Sequence, residues 1–127
     1  MKSTYRYVGD SPPAPFVMVR IGLPGGAAAV ELAARIDTGA DRTVVPPRVP
    51  EQIGAMVDRR LRFAGLGGVE TELPIYRVQL AIRDLPPVEV EVAASDGEPH
   101  VLLGRDVLNR YKLTLDGPAG LLTITDD

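Results

Sequence analysis

The 127-residue chain has no cysteine and no tryptophan, one histidine, and only two lysines, Lys2 and Lys112. Without cysteine there is no disulfide framework, no thiolate zinc site and no thiol nucleophile. The single imidazole, His100, excludes a histidine-rich metal site within one subunit, and any Ser-His-Asp triad would have to use it. Positive charge is not in excess: 14 basic and 17 acidic side chains give a net charge of −3. That balance argues against nucleic acid as a partner, because such binding leans on clustered Lys and Arg. Aromatic residues make up 5% of the chain, too few for a base-stacking platform. The longest purely apolar stretches run to about five residues, against the roughly 20 needed to cross a bilayer. Met1 to Asp10 contains no apolar core of a signal peptide. These absences predict a cytoplasmic protein with no cofactor, no metal, and neither nucleic acid nor membrane as partner.

What is present is an ordinary globular composition, 45% apolar and 24% charged, and a length that suits one domain with a real core. Turn formers are dense, with 13 Gly and 12 Pro punctuating short apolar runs, which predicts an all-β domain. Residues 1–15, ending in Ser11-Pro12-Pro13-Ala14-Pro15, read as an extended N-terminal arm, and residues 16–127 as a single domain. Phe16–Ile21 is a strand candidate closed by Leu23-Pro24-Gly25-Gly26. Ala27–Ile36 alternates as a strand, although Ala, Glu and Leu leave a helix open on propensity alone. Thr43-Val44-Val45 is a short β-branched run, and Glu51–Val57 reads as a brief helix with Pro50 at its start. Arg59–Ala64 and Val69–Pro74 flank Gly65-Leu66-Gly67-Gly68, a hairpin with a glycine-rich tip. Strands follow at Ile75–Ile82 and Val88–Val92, then the apolar triplet Val101-Leu102-Leu103 and a short helix over Arg105–Arg110. Lys112–Leu115 and Leu121–Thr125 form a terminal hairpin around Asp116–Gly120.

Chemistry concentrates where an apolar strand runs into Asp37-Thr38-Gly39. A carboxylate stands at a strand end beside a hydroxyl, and a glycine follows that permits close approach of another chain. By itself the tripeptide is equally an Asx-type turn with a solvated carboxylate. The glycine-rich tip is no phosphate loop, since Glu70 and Glu72 follow it in place of a Lys or a helix. His100 reads as a structural or surface residue, and Glu89, Glu91 and Asp126-Asp127 as solvated acids.

Asp37-Thr38-Gly39-Ala40-Asp41, the tip Gly65-Leu66-Gly67-Gly68 and the segment Leu102-Leu103-Gly104-Arg105-Asp106, in that order and spacing, resemble the retropepsin-like aspartic proteases. The likeness covers roughly Phe16 to Thr125. It implies a closed, barrel-like acid protease fold with a flap hairpin and one short helix near the C-terminus. Asp37 is the catalytic residue that it implies, with Thr38 and Gly39 supporting the active-site loop. Gly39, Ala40, Asp41, Arg42, Gly65, Leu66 and Gly67 are the substrate-binding residues, and Asp41 pairs with Arg105 in a structural ion pair. Two departures stand out: Val69 replaces an aromatic after the tip, and Arg42 stands where viral relatives often carry an acid, shifting preference toward acidic or neutral side chains.

Acid proteolysis needs two carboxylates in one site, one accepting a proton while the other holds one. This chain has one Asp-Thr-Gly, so the reading requires a symmetric homodimer acting on a protein or peptide substrate. Of the two termini, Leu121–Thr125 is the better strand and is expected to supply more of the interface. The alternative is a catalytically silent module of the same fold that binds peptides or dimerises.

Overall fold

Alternation of apolar and polar residues becomes a barrel because each strand turns its apolar face to one shared interior. The computed structural model describes residues 1–9, 11–26, 29–64 and 66–126. In β2 (Phe16–Gly22) Val17, Val19 and Ile21 are buried, and in β6 (Glu70–Ile82) Val78, Leu80 and Ile82 are. β3 (Ala29–Ile36) is a strand despite its helical propensity. It pairs antiparallel with β2 from Phe16↔Arg35 to Gly22↔Ala29, and parallel with β8 (Val101–Leu103). Tertiary pairing on both edges outweighs the few tenths of a kcal/mol per residue that separate helix from strand propensity.

The remaining barrel strands are β4 (Val44–Val45) and β7 (Val88–Ala94). The order β2-β3-β8-β4-β7-β6 closes through pairing of β6 with β2, giving a six-stranded barrel. β5 (Arg59–Ala64) hangs on the outer edge of β6. The expected hairpin arm and the strand after it are one element, since β6 runs thirteen residues straight through Pro74. β7 pairs with β6 only from Ile75 onward, and β2 only along Gln79–Ile82. The outer half of β6, Glu70 to Pro74, is therefore held by β5 alone, from Arg60↔Pro74 to Ala64↔Glu70.

Two helices are short. α2 (Arg105–Leu108) lies where the sequence predicts it, burying Val107 and Leu108. α1 (Arg48–Ile53) starts three residues before the expected Glu51. Pro50 lies inside its first turn, where a missing N–H costs nothing, and Gly54 in the left-handed region (φ 72°) ends it.

The termini depart from expectation. Lys2–Arg6 is a strand, β1, paired antiparallel with β10 (Leu121–Thr125), which in turn pairs with β9 (Lys112–Asp116). Tyr5 is buried in the core and Ser3 beside it is buried too, so the alternate residues of this polar segment form a half-buried face. Arg83, at the turn after β6 and with φ 45°, lays its guanidinium 4.2 Å over the Tyr5 ring. The order β1-β10-β9 also corrects the expected interface: β10 is central, with both edges paired inside the chain, so it has no free edge for a partner.

Candidate active site

The Asp37 turn is built by the parallel pair β3 and β8. Ile36 lies in register with Leu103, and the Asp37 N–H donates to the Leu103 carbonyl at 3.0 Å, so the chain leaves the barrel at a fixed point. It folds back on itself there. The Gly39 N–H donates to Asp37 Oδ1 at 3.1 Å and the Ala40 N–H to the Asp37 carbonyl at 3.2 Å. The carboxylate is half-buried, with Thr38 and Gly39 exposed beside it. The single Asx-type bond holds one oxygen and leaves the other for chemistry.

The start of α2 clamps the turn from behind. The Arg105 N–H donates to the Ala40 carbonyl at 2.9 Å, and Arg105 Nη1 donates to the Thr38 carbonyl at 2.8 Å. Gly104 explains why the approach is so close. A Cβ there would stand 2.6 Å from the Arg42 carbonyl carbon and 3.0 Å from the Ala40 oxygen, both backbone atoms that cannot step aside cheaply. The expected Asp41–Arg105 ion pair is replaced by this contact. Among the described residues no ion pair joins the two, because the guanidinium is spent on the Thr38 carbonyl.

Beneath the turn lies a network that the sequence reading missed. Thr43 is fully buried and donates its hydroxyl to Asp106 Oδ1 at 2.7 Å, while its N–H donates to Asp106 Oδ2 at 2.9 Å. The same hydroxyl accepts from the Gly104 N–H at 3.1 Å, and the Val107 N–H donates to Asp106 Oδ1 at 2.9 Å. Thr43 and Asp106 thus pin the exit of the Asp37 loop to the segment that clamps its entrance. Only the adjacency of Thr43 to the motif hinted at this, since its partner lies 63 residues away.

Ala40, Asp41 and Arg42 stand together on the far side of the turn, as expected. Arg42 is half-buried and its Nη1 donates to the Glu91 carbonyl at 3.2 Å. The Glu91 carboxylate takes both guanidinium nitrogens of Arg59, one of them at 3.1 Å. That hydrogen bond, with the charges of Arg59, Arg42 and Arg77 behind it, holds the Glu91 carboxyl below its ordinary range. Glu91 is therefore not merely a solvated acid; it joins the base of the β5–β6 hairpin to the active-site loop. At the hairpin tip Leu66–Gly68 forms a 3-10 turn with Gly67 at φ 80° and Gly68 at φ 77°, which only glycine adopts without strain. Gly65 lies outside the described residues. His100 packs edge-on against Phe16, ring centroids 4.9 Å apart, in a separate groove of about 540 Å³.

A closed six-stranded barrel that presents an Asp-Thr-Gly turn, with a glycine and a short helix locked behind it, is the retropepsin-like aspartic protease fold. Residues 26–110 match the family model described as "gag-polyprotein putative aspartyl protease", two-thirds of the chain, and the chain belongs to that family. Solved structures agree on the fold. A retropepsin-like aspartic protease from Rickettsia conorii superposes with a TM-score of 0.68 at 14% identity, covering 98% of this chain and 89% of that one. The EIAV protease complexed with the inhibitor HBY-793 gives 0.57 at 23% identity, covering 80% and 91%. The retroviral protease-like domain of Ddi1 from Leishmania major gives 0.54 at 22%, covering 88% and 90%. No curated protein matches by sequence.

Proposed function

We propose that this protein is an aspartic endopeptidase that hydrolyses internal peptide bonds as a homodimer, with water activated between the Asp37 carboxylates of two copies. The observation that carries the reading is the clamped Asp37 turn: a half-buried carboxylate with one oxygen held by the Gly39 N–H. Such a turn supplies half of an acid–base pair, and a two-fold axis beside the exposed Thr38 supplies the other half. On this axis Thr38 becomes buried and ties the two loops together. One carboxylate takes a proton from water as the oxygen attacks the scissile carbonyl carbon, and its twin gives a proton to the carbonyl oxygen. The tetrahedral diol then collapses: the C–N bond breaks and the leaving nitrogen receives a proton. No covalent enzyme intermediate forms and no metal is needed.

The β5–β6 hairpin is the flap in this reading. Its outer half is a two-stranded ribbon with little packing of its own, a stability class that opens and closes readily, and Gly67 and Gly68 give its tip conformational freedom. Gly39, Ala40, Asp41 and Arg42 line the substrate cleft opposite.

The test is incubation of the protein and of Asp37→Asn with a diverse peptide library across acidic to neutral pH, read by mass spectrometry. Internal cleavages by the wild type that vanish in Asp37→Asn establish the activity. Activity is highest where the carboxylate pair carries one net negative charge and falls as both ionise. A dimer that cleaves nothing refutes the catalytic reading and leaves a peptide-binding module of the same fold.

A further inference from the structure

We propose that a cleft beside the Asp37 turn is a charge-reading subsite that takes a carboxylate side chain of the peptide substrate, through Arg42 and Arg110. The inference rests on the endopeptidase reading above. The cleft has a volume of about 420 Å³ and lies between residues 41–42, β7 and the end of α2. That is room for an acidic side chain with its water, within the range of ordinary ligand pockets.

Charge accounting decides what the cleft takes. Its carboxylates are mostly consumed inside the protein. Asp106 is held by Thr43 and the Val107 N–H, Glu91 by Arg59, and Glu89 lies 3.8 Å from Arg77. Its guanidiniums are not. Arg42 spends one nitrogen on a neutral acceptor, the Glu91 carbonyl. Arg110 is exposed, and among the described residues it has no carboxylate partner within ion-pair distance. Asp41, exposed at the rim, is the one remaining acid. Two uncommitted guanidiniums against one carboxylate leave the cleft positive, although the chain as a whole carries −3.

Arginine suits the role, since its planar fork meets a carboxylate with two parallel N–H···O bonds. Position then distinguishes a substrate side chain from a free anion. Arg42 lies five residues beyond Asp37 on the segment that leaves the catalytic turn, so a carboxylate bound there belongs to the chain being cut. It sits at one fixed distance from the scissile bond.

The experiment is library cleavage followed by matched peptides. Cut sites of the wild type are expected to show Asp or Glu enriched at one position relative to the scissile bond. A cleaved peptide with Glu there is expected to exceed its Gln counterpart about tenfold in kcat/KM. Arg42→Ala and Arg110→Ala each bring that ratio toward one, Arg42→Lys and Arg110→Lys retain part of it, and Arg110→Glu turns the preference toward Lys at the same position. Cleavage with no positional acidic enrichment, or variants that keep the wild-type Glu/Gln ratio, overturns the subsite. Equal inhibition of Glu and Gln peptides by free glutarate, with no positional preference, assigns the cleft to small anions and overturns it too. Failure of the protease reading looks different, because Asp37-dependent cleavage is then absent altogether. In that case the same library is captured on immobilised Asp37→Asn protein: enrichment of acidic peptides that Arg110→Glu abolishes sustains the charge reading, and its absence ends it.

Discussion

Substituting Thr43 by valine removes one oxygen from the network behind the Asp37 turn and almost nothing else. The two side chains have nearly the same volume, so no cavity opens at this fully buried site. The hydroxyl does two jobs, donating to Asp106 Oδ1 at 2.7 Å and accepting from the buried Gly104 N–H at 3.1 Å. A buried N–H left without an acceptor costs about 1–3 kcal/mol, and a hydrogen bond to an ionised acceptor contributes about 1.5–3 kcal/mol. The terms overlap, and Asp106 keeps the Thr43 and Val107 N–H donors. The net loss is therefore about 2–4 kcal/mol, a fall in Tm on the order of 10 °C for a chain of this size. Urea unfolding checks it at one fixed protein concentration, because a dimer adds concentration-dependent stability. The midpoint should fall with the slope unchanged. Asp106→Asn removes part of the same network, so the double variant should lose less than the sum of the single losses. A loss below about 0.5 kcal/mol, the size of an ordinary surface substitution, would show that the network does not hold the turn and refute the reasoning.

Gly104→Ala places a methyl 2.6 Å from the Arg42 backbone. It should cost at least the 1–3 kcal/mol or so of an overpacked core and displace the Asp37 loop; thermal melts and the loss of cleavage check both. Gly39→Ala meets only Asp37 Oδ1 at 3.4 Å, so it should melt close to the wild type while weakening cleavage where substrate backbone must approach. Glu91→Gln tests the hairpin base. Because Arg59 lowers the Glu91 pKa from its ordinary 4.5, the carboxylate's contribution is present above that value and lost as pH falls through the lowered one. The stability gap between wild type and variant should therefore persist at neutral pH and close in acid, which melts across a pH series will read; a gap that widens in acid contradicts the assignment. Tyr5→Ala should cost about 3–5 kcal/mol, as for other buried aromatics, since Tyr5 is core and carries the Arg83 contact. A loss under about 1 kcal/mol would return residues 2–6 to the status of a loose arm.

Most of the fold was legible because it follows from short-range rules. Period-two alternation marks β2, β6 and β7, and Gly and Pro mark their ends. The site was legible in the same way, since Asp37, Thr38 and Gly39 are adjacent in the chain. The first turn of α1 was misplaced because a proline signals a helix start without saying at which of its first positions it lies. β1 was missed because Lys2, Thr4 and Arg6 are polar on the outward face, and only Ser3 and Tyr5 on the other face meet the core.

By itself, then, the amino-acid sequence determined an all-β chain with one carboxylate-bearing Asp-Thr-Gly turn, and so the need for a second copy in any acid–base pair. Tertiary structure alone decided what holds that turn: Thr43 to Asp106, Arg105 to the Thr38 carbonyl, and Glu91 between Arg42 and Arg59. The reason is physical. These partners lie 32 to 67 residues apart, and a side chain's charge says that it needs a partner, whereas only barrel closure brings one within 3 Å or so. Arg105 shows the difference most plainly: its charge suggested Asp41, and the geometry gave it a backbone carbonyl instead.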